Sequence, residues 1–243
     1  MSRRIELLLS GIIVVLAGAA ALSGLLVPTL YRDPAVLRPQ LRGQDLVTLL
    51  LGLPLLAAGM VGVARASLRG RIVWLGALGY LIYTYATYTF GAVWNPLYLV
   101  YAALLGCSLY AFVLGLLGTP ADTVARQLAG TVPRRTVGIF LVTTAVVFLL
   151  LWLGDEVGAL ARGEVPRSVR EMQIPTNFIH GIDLAVVLPA LAISGALLLR
   201  RRAWGYVLAP VLLAKVTTLG AAVLTMAAFM VLDGQKADPV LAP

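Results

Sequence analysis

Apolar residues gather into seven long runs, at roughly 5–27, 46–64, 72–93, 97–118, 136–153, 178–199 and 204–231. Each approaches the about 20 residues that an α-helix needs to cross the hydrocarbon core of a bilayer. None alternates apolar and polar positions as a membrane barrel strand does, so each run is read as a helix. The fifth is short, and the seventh is long enough to tilt or protrude. The first follows Arg3 and Arg4 as a signal peptide would, but its apolar stretch exceeds the about 7–15 residues of a signal h-region, so it is read as the first membrane helix. Pro54, Pro189 and Pro210 fall inside runs, where each removes a backbone donor and bends its helix. The pattern predicts an all-α, polytopic membrane protein: one transmembrane domain over 1–243, seven helices, and outer loops at 28–45 and 154–177.

Composition agrees. Of 243 residues, 60% are hydrophobic and 12% charged, with a mean hydropathy of +0.93. A soluble domain carries about a quarter charged residues. The net charge is +8, but the arginines sit in short clusters between apolar runs, which is a topology signal rather than a nucleic-acid surface. Arg3, Arg4, Arg65, Arg69, Arg71, Arg126, Arg134, Arg135, Arg200, Arg201 and Arg202 fall on one side. Arg32, Arg38, Arg42, Arg162, Arg167, Arg170 and Lys236 fall on the other. The excess predicts the N-terminus inside and the C-terminus outside, in a cell membrane, plasma or bacterial inner. A single cysteine, Cys107, excludes an intramolecular disulfide and a cysteine metal site. A single histidine, His180, excludes bis-histidine haem and a three-histidine zinc site within one chain.

Asp45, Asn95-Pro96 and Thr176-Asn177 stand where the second, fourth and sixth helices begin, and suit helix caps. Several echoes suggest that helices 1–3 repeat in parallel as helices 5–7, with the fourth as linker. Arg3-Arg4 matches Arg134-Arg135, Gly43-x-Asp45-Leu46 matches Gly181-x-Asp183-Leu184, and Leu53-Pro54 matches Leu188-Pro189. Trp74 matches Trp204.

Lys215 stands out, one of two lysines among 19 basic residues and mid-way along the last apolar run. It lies about 16 Å from the inner edge at 1.5 Å per residue. A charge there needs a partner and marks a functional site by default, or else snorkels outward. Asp183 is the expected partner, as an ion pair or through water. Asn177, His180 and Asp183 recur every third residue and cover one side of the sixth helix. The plainer reading makes Asn177 a cap, His180 an interface residue and Asp183 a structural tie. His180 with Asp183, Asp45 or Glu156 falls short of the three or four placed ligands of a typical metal site, so neither metal nor cofactor is expected. Tyr88, Trp94 and Tyr98 suit an outer aromatic belt. Tyr80, Tyr83, Tyr85 and Tyr101 lie deeper, and line a pocket with Thr84 and Thr87 or pack with satisfied hydroxyls.

No P-loop, HExxH, GxSxG or strand-borne GxGxxG motif is present. Seven helices with Lys215 in the last resemble microbial rhodopsins, which would imply a retinal Schiff base, but the third helix holds no counter-ion acid. The 3-1-3 order resembles the SWEET and PQ-loop transporters in architecture alone, since Pro39-Gln40 lies in an outer loop and the topology is inverted. The segments Leu41–Leu46 (LRGQDL) and Pro175–Leu184 (PTNFIHGIDL) resemble those of bacterial seven-helix, multi-pass membrane proteins, a likeness that implies a membrane fold and no activity.

The expected function is binding, or binding and transport, of a small or amphipathic molecule in an outward-opening pocket between helices 2, 3, 6 and 7. Asp45, Tyr83, Asn177, His180, Asp183 and Lys215 are its candidate residues. The alternative is a structural or accessory subunit whose buried charges set helix packing. An intramembrane enzyme or retinal protein ranks below both. The expected partners are the lipid bilayer and a small-molecule ligand, with no nucleic acid; self-association is compatible.

Overall fold

Lipid offers no hydrogen bonds to a bare backbone, so an apolar chain satisfies its own donors and acceptors by coiling. The computed structural model, which describes residues 3–235, is accordingly all-helical, with no strand among the described residues. Lys236 and the C-terminal end, assigned above to the outer side, lie outside them. The helices are α1 (Arg3–Leu26), α2 (Arg38–Val47), α3 (Leu53–Ala64), α4 (Leu68–Gly91), α5 (Tyr98–Leu117), α6 (Ala121–Leu128), α7 (Arg134–Arg162), α8 (Arg167–Met172), α9 (Phe178–Ile182), α10 (Leu188–Leu199) and α11 (Ala203–Leu232). Six stretches are long and apolar enough to cross a membrane: α1, Arg38–Ala64, α5, α7, Phe178–Leu199 and α11. The protein is a multi-pass integral membrane protein. The third apolar run is also a helix, α4, but is not among the six; four tyrosines and three threonines dilute it. Large apolar side chains such as Leu8, Val15, Leu150 and Leu224 are exposed, as lipid-facing positions should be.

The chain divides into two compact units, Met1–Thr119 with Ala214–Pro243, and Pro120–Leu213. In the first, α4 packs against both α3 and α5, and α1 against α3 and α5. Glycines allow the close α3–α4 approach. A Cβ on Gly59 would lie 2.5 Å from the Trp74 Cα, and Gly62 abuts Gly70 backbone to backbone. In the second unit α7 runs along α10, with Gly138 and Gly195 at the contact.

Each unit holds one interrupted helix. Thr48–Gly52 joins α2 to α3 as a π-helical turn, followed by Pro54; Asp183–Val187 joins α9 to α10 in the same way, followed by Pro189. Proline lacks an N–H and its ring presses on the carbonyl four residues back, so a turn widened to i→i+5 bonding accommodates it. The Leu53 N–H bonds to the Thr48 carbonyl, and the Leu188 N–H to that of Asp183. The turns after α3 and α10 also match. Ala66 and Arg201 have φ of 56° and 58°, and the bonds Ser67 N–H to Gly62 and Arg202 N–H to Leu197 close them alike. All these pairs are spaced by 135 residues. The echoes of Asp45 with Asp183 and of Trp74 with Trp204 do not share that spacing.

Two helices run past their apolar cores. Pro39 opens α2 well before the apolar run, so Asp45 sits inside the helix and is not its cap. The α7 helix continues to Arg162 and stops where Gly163 turns left-handed at φ 66°. This brings Asp155 and Glu156 into a helix, where the sequence placed a loop.

Candidate functional site

In the first unit a carboxylate is held by phenols. Asp45 is buried; its Oδ2 accepts a short hydrogen bond from Tyr31, and its Oδ1 accepts from the Tyr88 hydroxyl at 2.9 Å. Each oxygen of the carboxyl thus faces a phenol hydroxyl. Burial, and next the Asp45 charge, push the Tyr31 phenol well above its usual range, so it stays a proton donor. Tyr88 stacks on Tyr31 and Tyr101 with centroids 6.2 and 5.0 Å apart. Tyr88 is thus buried rather than part of an outer belt. Gly24 lets α1 approach: a Cβ there would collide with the Asp45 carboxylate and the Tyr31 hydroxyl.

One turn along, Gln44 Nε2 donates to Tyr80 (3.0 Å) and Thr84 (2.7 Å), and the Thr48 hydroxyl meets that of Tyr80 at 3.0 Å. Lys215 Nζ stands 3.8 Å from the centre of the Tyr83 ring. This cation–π contact gives two expected residues a shared place in the first unit. A cavity of about 440 Å³ opens beside the tyrosines, lined by Gly24, Pro28, Tyr31, Arg38, Arg42 and Gln235 among others. Asp45 borders it through Tyr31. Asp33, in the 28–37 connection, accepts from the Val93 N–H at 2.8 Å, and burial raises its carboxyl above the usual range.

The second unit gathers Asn177, His180 and Asp183. Asn177 caps α9 as the sequence suggested, its Oδ1 accepting the His180 N–H at 3.1 Å. His180 is buried, and its Nδ1 lies 2.8 Å from Glu156 Oε1. The Trp152 ring stacks on the imidazole at 4.2 Å, and its Nε1–H donates to Asp183 Oδ2 at 3.0 Å. Asp155 accepts from the Arg167 N–H (3.0 Å) and the Ser168 hydroxyl (2.6 Å), while Asn177 Nδ2 donates to that hydroxyl at 3.0 Å. Asn95 Oδ1 accepts the Leu97 N–H at 2.9 Å in a turn that precedes α5; the N-cap position is Leu97, without a side-chain cap bond, so Asn95 is not the cap the sequence suggested.

Sequence reasoning missed Tyr31, Gln44, Thr48, Trp152 and Asp155. The only signal for Tyr31 is a buried aromatic in a polar connection, and Trp152 looked like one more apolar residue of its run. Compared with known proteins, the chain matches no family model, no curated protein and no solved structure.

Proposed function

We propose that this membrane protein has seven transmembrane helices and binds a small amphipathic anion at one end of its first unit. The cavity of about 440 Å³ beside Arg38 and Arg42 carries this reading. Its volume falls in the range of about 300–1,000 Å³ typical of small-molecule sites. Two guanidiniums against the one carboxylate of Asp233 leave the lining net positive, and each guanidinium presents a fork of donors to a carboxylate or phosphate head. Leu25, Val27 and Pro28 offer an apolar wall to a tail. Asp45 acts at second hand, fixing the Tyr31 phenol at the cavity wall. Binding stabilises a folded protein, by about 2.7 kcal/mol at a hundredfold excess over Kd. Alkyl phosphates and fatty-acid anions should therefore raise the melting temperature in nanodiscs, and neutral alkyl glucosides should not. The rise should vanish in Arg42→Gln. No rise with any amphiphile would favour the accessory-subunit reading.

The orientation proposed is N-terminus inside, which puts this cavity outside, from the arginine asymmetry. Reporter fusions after residue 68 should read cytoplasm, and fusions after residue 165 the exterior; reversal at both would invert the topology.

We also read the chain as a parallel duplication, 3–91 repeated as 134–226 with helices α5 and α6 between. Its support is the 135-residue spacing of both π-turns, both prolines and both left-handed turns. The first helices make a matching contact at a spacing of 131 residues, four fewer. Arg3 donates to the carbonyl of Ala64, the last residue of α3, and Arg134 to that of Leu199, the last of α10.

A further inference from the structure

We propose that Asp155, Glu156 and His180 bind a divalent transition-metal ion, with zinc the best fit. One carboxylate oxygen from each acid and one imidazole nitrogen lie within 4.8 Å of one another. Donors that share an ion at about 2.0–2.2 Å stand roughly 3 to 4 Å apart, so these three need only small side-chain rotations. One imidazole and two carboxylates match zinc's preference for nitrogen and oxygen, and their two negative charges balance the ion. Three protein ligands leave a fourth position for water.

The surroundings hold the donors as a metal site requires. Ser168 fixes the Asp155 carboxylate through its hydroxyl (2.6 Å) and its N–H (3.3 Å), and Asn177 holds Ser168 in turn. Each carboxylate oxygen has a second lone pair, so these bonds coexist with ligation. Trp152 fixes the plane of His180 from one face. Ligation through Nδ1 replaces the hydrogen bond to Glu156 and leaves the proton on Nε2.

Comparison of the two units supplies an independent argument, which rests on the duplication proposed above. By the correspondence of Arg3 with Arg134, Gly24 matches Asp155. By that of Pro54 with Pro189, Asp45 matches His180. In the first unit this junction is a glycine against a carboxylate that two phenols satisfy. In the second unit the same two places carry an acid and the chain's only histidine, with Glu156 one residue on. There Asp155 accepts from the Arg167 N–H and from Ser168 rather than from phenols, and Glu156 meets the His180 ring. The second unit thus carries three groups able to ligate an ion where the first carries one.

The test uses the full chain, purified in nanodiscs, stripped with EDTA and titrated with Zn²⁺, then with Co²⁺ as a spectroscopic probe. One equivalent should bind, with a visible Co²⁺ band and quenching of fluorescence that is lost in Trp152→Phe. Glu156→Gln and His180→Ala should each abolish the band, and His180→Cys should restore a band of thiolate character. Ser168→Ala should weaken binding by about 10–100-fold, as loss of a ligand's supporting bond does. Circular dichroism melts establish that the variants fold, and Glu156→Gln carries the test if His180→Ala does not. No saturable binding by the wild-type chain overturns the proposal. So does binding that survives Glu156→Gln. Loss of binding in Arg42→Gln, which alters only the anion cavity, would also overturn it, and this separates failure here from failure of the anion reading.

Discussion

Glu6→Leu should destabilise the protein by about 3 kcal/mol, the lower part of the range for a buried pair, because it leaves a largely buried arginine, its side chain 15% exposed, without its counter-charge. Arg71 Nη2 lies 2.5 Å from Glu6 Oε1, and Glu6 is 7% exposed. The same guanidinium donates to the Gly115 carbonyl at 3.1 Å and, from Nε, to the Thr119 hydroxyl at 3.0 Å. One side chain therefore ties α1, α4 and the end of α5. Trp74 adds a bond from Nε1 to Ser10, 2.8 Å long, one turn further in. Desolvating two ions is costly, so the pair itself contributes little, yet losing one member is severe. The double variant Glu6→Leu with Arg71→Met should recover most of the loss. Reversible unfolding in mixed micelles measures both. A cost below about 1 kcal/mol for Glu6→Leu would mean that the pair is solvated, as surface ion pairs are.

Gly59→Leu should cost about 3 kcal/mol, the upper part of the overpacking range, and should not be rescued by repacking side chains. The new Cβ would meet backbone atoms of Trp74, its N at 2.6 Å and its Cα at 2.5 Å. Backbone cannot rotate aside as a side chain does, so α3 and α4 must separate. Small residues at such crossings are how membrane helices gain close van der Waals contact without a hydrophobic drive. Gly106→Leu is the control, since nothing lies within 4 Å of its Cβ. It should change stability by less than about 0.5 kcal/mol. Equal melting behaviour of the two variants would refute the account.

The anion cavity and the metal centre belong to different units, and their tests separate cleanly. Arg42 borders the first, and Glu156 the second. A chain that binds alkyl phosphate but no zinc would retain the first proposal alone, and the converse result the second alone.

Hydropathy by itself determined that the chain is helical and lies in a membrane, because apolar runs of bilayer length leave the backbone no other way to satisfy itself. It located the cores of the helices but not their polar ends. Arg38 to Gln44 and Gly154 to Arg162 look like loops, since their residues are hydrophilic, yet capping by Pro39 and Gly163 extends both helices. The sequence also singled out Asp45, Asn177, His180 and Asp183, since ionisable and polar groups at the edge of apolar runs are costly and few. It assigned Asp45 to a cap because caps are local. The partners it has are not: Tyr31 and Tyr88 lie 14 and 43 residues away. Glu156 and Asp155 reach the neighbourhood of His180 only because α7 and the 163–177 connection fold back on each other. Of the sequence echoes, Leu53-Pro54 with Leu188-Pro189 has the 135-residue spacing of the π-turns, while Asp45 with Asp183 and Trp74 with Trp204 do not. Prolines, π-turns and left-handed turns set the 135-residue spacing through backbone geometry, which residue letters record only in part. Which side chains meet was decided by tertiary packing, since hydrogen bonds and ligand geometry depend on contacts across tens of residues that no local period encodes.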